Sequence, residues 1–489
     1  MAAGKEQPEI GSTRPDRSEL RNVLAMTAPV VITTTSRAMM DIADYIMITG
    51  LDAAEAQAAI LPSQMIMWSY ITLGMGLVSV ISTFTAQSLG RKRDLDCGGY
   101  AWQAIYLSVL FGLIGAALIP FLPGLIALIG HDPVVQSMEN AYSRVALLTA
   151  GPTIAAAALG WYFIGIHRPW ITMWSAIEAN VINIGVSYWL IFGGFGVEPM
   201  GIAGAAWGTL AGVSYRALRL AVVLLTPSME ARFASRRSWR PSISKLWELI
   251  RVGAPAGLQW FGEITAFAIF VNVLVGRRFG TEHLIATGIA WQYMRISFMP
   301  TIGVGQALTS LVGRSIGAGD IDRAKRETRI ATGITLAYMG TLSVIYFAFG
   351  AALIGWFNAD AEVVEIGAKV MICAAIFQLF DAVGISYSCA LKGAGDTFWP
   401  SMYFIASSWI ILLGGGSLMV YYVPQWGSLG PWIAASTLII TTAIFLAWRW
   451  HRGAWMKINL FKGPTSGSVE RDGGEDAAQE VRQPEPTAV

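Results

Sequence analysis

The chain has 489 residues, 54% of them hydrophobic and only 13% charged, with a formal net charge of +2. Ordinary soluble domains carry about 25% charged residues, so a soluble globular or disordered chain is excluded, and the near-neutral balance offers no broad basic surface to nucleic acid. The apolar stretches run from about residue 24 to about residue 452, each long enough to cross a hydrocarbon core of about 30 Å.

These stretches predict an all-α polytopic membrane protein with twelve spans, at 24–50, 59–88, 100–122, 139–166, 169–192, 200–225, 250–279, 284–313, 328–355, 364–391, 398–423 and 429–451. The alternating ten-residue segments of a transmembrane barrel do not appear. The tail ahead of the first span has no small-residue cleavage site, so that span reads as retained rather than as a signal peptide. Most of the 34 Lys and Arg residues fall on the side of the termini, whereas the opposite loops hold Arg144, Arg277, Arg278 and Lys369. The positive-inside rule therefore places both termini in the cytoplasm. Cys97, Cys373 and Cys389 form no disulfide framework and read as free thiols.

The first span carries "RAMMDIADYIMI" at 37–48. At the helical repeat, Asp41 lies about 40° from Arg37 and Asp44 about 20° to the other side, so all three share a face. Arg37 and Asp41 are spaced for an ion pair at i,i+4. One arginine does not neutralise two carboxylates, which points that face, with Asp44, at a hydrated cavity. Asn180 and Asn183 follow in the fifth span, either bonding helix to helix or lining a site. The seventh span holds Gln259, Trp260 and Glu263, the eighth Gln292 and Arg295, and the tenth Gln378 and Asp381.

Glu263 and Asp381 have no cation along their own helices, and Arg295 is the nearby candidate partner. They make either a buried ion pair with it or a carboxylate pair that binds H⁺ or a hard cation such as Na⁺. Trp68, Trp174, Trp260 and Trp291 lie deep enough in their spans to flank a bulky ligand.

The two halves repeat. Ala28-Pro29 aligns with Ala254-Pro255, "TLGMG" at 72–76 with "TIGVG" at 301–305, and "AQSLGRKRD" at 86–94 with "GRSIGAGDI" at 313–321. Six spans in each half make parallel repeats around a cleft, as in some carriers. The expected layout is a cytoplasmic N-terminal tail (1–23), a bundle over 24–225, a basic linker over 226–249, a second bundle over 250–452 and a disordered cytoplasmic tail over 453–489. "GRSIGAGD" and "LKGAGDT" do not fit a phosphate loop. The four histidines are scattered and no nucleophile–base pair emerges, so neither an ATP-driven pump nor an enzyme is expected.

With "AP" fifteen residues before the acid of "DYIMITGL", "GRSIGAGDIDRA", and "ALKGAGDT" after the tenth span, the chain over 20–452 resembles the MATE (multidrug and toxic compound extrusion) transporters, in their NorM-like bacterial branch. The resemblance implies a cofactor-free, monomeric antiporter in membrane lipid that expels cationic, amphipathic small molecules in exchange for H⁺ or Na⁺. It implies Asp44 as the first-span acid, Glu263 and Asp381 as cation ligands, and Asn183 as the first of two fifth-span asparagines. Ser187, in place of the second asparagine, and Arg37, in place of an uncharged polar residue, depart from the pattern. A neighbouring cation keeps a carboxylate ionised, so Arg37 shifts the expected coupling toward Glu263 and Asp381. A lipid-linked saccharide flippase of the wider superfamily is the alternative, although such proteins carry more spans and a strongly cationic cavity.

Overall fold

The computed structural model describes residues 17–49, 67–127, 133–194 and 196–461. Helices dominate them because an apolar solvent offers the backbone no hydrogen bonds, so each segment satisfies its own. In chain order the spans are α1 (Arg17–Thr49), α2 (Met67–Gly90), α3 (Asp94–Ala127) and α4, which is bent by 41° between Gln136–Leu148 and Ala150–Gly165. There follow α5 (Pro169–Phe192), α6 (Ile202–Leu224), α7 (Ile243–Arg277), α8 (Thr281–Gly317), α9 (Ile321–Gly355), α10 (Ala361–Ala394), α11 (Phe398–Tyr422) and α12 (Leu429–Arg452). The expected twelve-helix architecture is present, in two bundles of six. The predicted second span begins at 59, and its residues 59–66 lie outside the described residues.

Three differences from the expected layout have packing reasons. Helix α1 starts at Arg17, inside the expected N-terminal tail, where Val23 is buried and Glu19 pairs with Arg326 at 2.9 Å. The stretch joining the halves folds into the short helix Pro227–Phe233, set 62° from α6. Buried Phe233 and Ser235 dock that stretch on α3, where Trp102 Nε1 donates to the Ser235 carbonyl at 2.6 Å. The expected disordered tail opens instead with an ordered turn, Ala454–Lys457, because Trp455 stacks on Trp450 with ring centroids 4.2 Å apart. The acidic residues from 462 onward lie outside the described residues.

The halves meet at the end of the bundle that carries the basic loops. Thr83 donates to the Lys392 carbonyl at 2.9 Å, Gln87 Nε2 to the Gly393 carbonyl at 3.0 Å, and Ser310 to the Ile164 carbonyl at 2.8 Å. Glycine makes this approach possible: a Cβ on Gly317 would strike the Gln87 carbonyl, and one on Gly303, deeper in, would stand 2.8 Å from Val31 Cα. The glycine-rich motifs thus close the floor of the cleft.

"LKGAGDT" has a further local reason. Gly395 ends α10 in the left-handed region at φ 87°, a position that favours glycine. The turn delivers Asp396 to Arg449 on α12, in two bonds of 2.6 and 3.0 Å with side chains 3% and 14% exposed. Breaking a buried pair strands the other charge at a cost of about 3–5 kcal/mol. Asp396→Asn is therefore expected to lower the melting temperature of the detergent-purified protein sharply. Asp396→Leu with Arg449→Met should recover most of the loss, and a double variant no more stable than the single one would refute this account.

Candidate functional site

The two halves line the cleft with different charges. In the C-terminal half, α7 presents Gln259, Trp260 and Glu263 within little more than one turn, so the three share a flank of the helix. Glu263 is solvent-accessible although protein surrounds it, as expected of a side chain on the wall of a concave, wet space. Asp381, half-buried on α10, feels the charge of Glu263. The structure therefore brings together the two carboxylates proposed from the sequence.

Lys392, one residue beyond the predicted tenth span, supplies positive charge at Glu263. The Lys392 ammonium rests 5.2 Å from the Trp260 ring centroid, and Trp260 meets Trp161 edge-on at 6.1 Å. A long lysine stem carries the charge well away from its own backbone. Gln259 accepts from Ser401 at 2.9 Å, which holds α7 to α11. Gln292 is exposed, whereas Trp291 is stacked on Phe267 at 4.2 Å inside the bundle. One turn before Asp381, buried Gln378 donates to Ser297 at 2.7 Å, and Ser297 bonds the Tyr346 hydroxyl at 2.8 Å, fixing α10 against α8 and α9.

In the N-terminal half, the Arg37 guanidinium lies 5.3 Å from the centre of the Trp68 ring. Asp44 is half-buried on the same helix, and the side chain of Asp41 lies outside the described residues. Asn180 donates to the Ser36 carbonyl at 2.9 Å and Asn183 to Thr209 at 3.4 Å, so the donor side of each amide ties helices together. The buried Asn183 Oδ1 and the hydroxyl of Ser187 have no hydrogen-bond partner among the described residues. Trp174 is exposed on α5.

Two cations in this architecture escaped the sequence reading: Lys392, whose charge acts on Glu263, and Arg216 on α6, which feels the like charge of Arg37. The only sequence signal for Arg216 was its place inside a span, in "GVSYRALRL". Among the described residues no group of three or more metal-ligating side chains is found.

The family model MatE matches twice, over residues 29–189 and 255–414, one match in each half. The chain belongs to the MatE family. Among its MatE relatives, a probable multidrug resistance protein NorM from Rhizobium meliloti (strain 1021) is 25% identical over 452 residues, covering 89% of this chain and 94% of the relative. A protein of the same name from Neisseria meningitidis serogroup A is 27% identical, covering 88% and 93%. The solved outward-facing conformation of a multidrug resistance MATE family transporter of the MOP superfamily superposes with a TM-score of 0.80 at 20% identity, covering 91% of this chain and 100% of that one. This MatE protein is thus a multi-pass membrane transporter.

The floor of the cleft also contains a titratable group. His167, in the loop after α4, meets Arg314 of α8 at 3.3 Å through Nδ1. Burial first, and the Arg314 charge second, push its pKa down to about 3, so it stays neutral in the closed floor. In a state that exposed this imidazole, its pKa would return to about 6.5. Protons would then bind such an open state more tightly, so closure would be fully favoured above about pH 6.5 and weakened progressively as the pH falls below it. With spin labels on Leu95→Cys and Lys325→Cys, the long-distance population is expected to rise about tenfold between pH 7.5 and 5.5. His167→Asn should abolish that rise.

Proposed function

We propose that this MatE protein is a secondary active antiporter. It exports cationic or amphipathic small molecules, among them drugs, toxins or metabolites, in exchange for H⁺ or Na⁺. The N-terminal bundle (24–225) and the C-terminal bundle (250–452) rock about the glycine-lined floor, exposing the cleft to one side and then the other. The carrying observation is the carboxylate pair, Glu263 and Asp381, on a wet wall within the span region, with Lys392 as the neighbouring cation.

Two carboxylates that feel each other's charge resist full ionisation together, so a proton, a sodium ion or a cationic substrate relieves the same repulsion. Competition for that site couples the fluxes: ion entry expels the substrate, and substrate entry expels the ion. Asp44 supports the cycle from the N-terminal half, with Arg37, Asp41, Asn180 and Asn183 shaping its surroundings, and Gln259, Trp260, Gln292 and Trp68 contribute to the substrate wall. Arg295 supports the carboxylate half. The printed names of the relatives, multidrug resistance proteins, support a broad substrate range. The protein works as a monomer in the inner membrane, surrounded by lipid and with both termini cytoplasmic, on the Lys/Arg asymmetry of its loops.

Liposomes containing the purified protein and a cationic dye provide the test, with Na⁺ and H⁺ gradients imposed separately. Dye movement driven by one gradient is expected for the wild type, and Asp381→Asn or Glu263→Gln should lower it at least about tenfold, as expected when a charged ligand is lost. Gradient-independent dye movement would overturn the antiporter reading. No movement of any cationic dye would turn attention to lipid-linked sugars. If Asp44→Asn abolished coupled transport while Asp381→Asn did not, the site would lie in the other half.

A further inference from the structure

Lys392 belongs to the floor by its backbone and to the cleft by its side chain. Its carbonyl accepts the Thr83 hydroxyl of the opposite half at 2.9 Å. Past the turn at Gly395, Thr397 donates to the Val252 carbonyl at 2.6 Å, so the end of α10 is held to that level of α7. A lysine in the last turn of a helix can send its ammonium to the nearest water. Here the stem leans the other way, because Cα–Cβ bonds tilt toward a helix's N-terminus and α10 begins at the opposite end of the bundle. The half-buried side chain brings its ammonium to 5.2 Å from the ring centroid of Trp260. That residue lies about two turns beyond Val252 on α7, roughly 12 Å along the helix.

Trp260 is positioned from the other half. Buried Trp161 of α4 meets it edge-on at 6.1 Å. Glu263 follows within one turn of α7, and its charge acts on the ammonium. An aromatic face beside a carboxylate is a combination that receives organic cations. In this structure the occupant is the chain's own ammonium, and its short tether gives it a high effective concentration there.

We propose that Lys392 is an internal competitor: its ammonium holds the face of Trp260 that a substrate's cationic group takes, and the substrate binds by displacing it. The competitor makes binding weaker than the acidic wall alone would give. It also refills the face when a substrate leaves, which opposes rebinding. This rests on the exporter reading above and names the residue that sets the affinity of that site.

The test measures binding of ethidium, a cationic dye, to the full chain in lipid nanodiscs by fluorescence anisotropy, with empty nanodiscs subtracted. Lys392→Ala and Lys392→Met are expected to bind the dye at least about threefold more tightly than the wild type, the order of one cation–aromatic contact. Lys392→Arg should bind it as weakly as the wild type. Propylammonium, which replaces the stem that alanine lacks, should return Lys392→Ala to wild-type affinity, whereas KCl at the same ionic strength should not.

Dye binding by the wild type that is as tight as that of both neutral variants, or tighter, overturns the competitor and leaves the exporter reading standing. Tighter binding by the variants that KCl and propylammonium weaken equally would make the effect a repulsion at a distance, and would overturn occupancy of the Trp260 face. If neither the wild type nor any variant binds a cationic dye, the exporter reading falls and the competitor with it.

Discussion

A hydrocarbon solvent supplies no hydrogen bonds, and the arrangement of this chain follows from that shortage. The backbone satisfies itself in helices, and most hydroxyls in the spans bond back to their own helix. Thr33 donates to the Pro29 carbonyl, Thr85 to that of Ile81, Ser108 to that of Ala104 and Thr328 to that of Ala324, each one turn earlier. Serine and threonine are thereby tolerated without marking a site. Charge is different, because no local backbone group neutralises it, so the few charges that remain in the spans gather where water or another charge reaches them.

Those charges are sorted between the halves. The C-terminal half holds the carboxylate pair with Lys392 beside it, while the N-terminal half holds Arg37 on α1 and Arg216 on α6, with Asp44 on the first of these helices. Two halves of similar architecture have thus become chemically unlike walls of one cleft.

The floor joins the walls by few and simple contacts. Backbone packs against backbone at Gly317 and Gly303, and the crossing bonds run from single hydroxyls or amides to carbonyls at helix ends. The buried ion pair of Asp396 and Arg449, by contrast, lies wholly within one half.

The sequence by itself determined the number and order of the spans, the two-fold repeat and the identity of the acids, since hydropathy is additive along the chain and a carboxylate in an apolar run stands out whatever its neighbours. Glu263 and Asp381 were legible for that reason. Their proximity, the lysine beside them and the surroundings of Arg216 were decided by tertiary structure. Lys392 and Arg216 have long stems that deliver charge several ångströms from the chain position, to a place set by the packing of other helices. The roles of Asn180 and Asn183 stayed open for a related reason: an amide in a span always needs a partner, and only the folded bundle supplied Ser36 and Thr209.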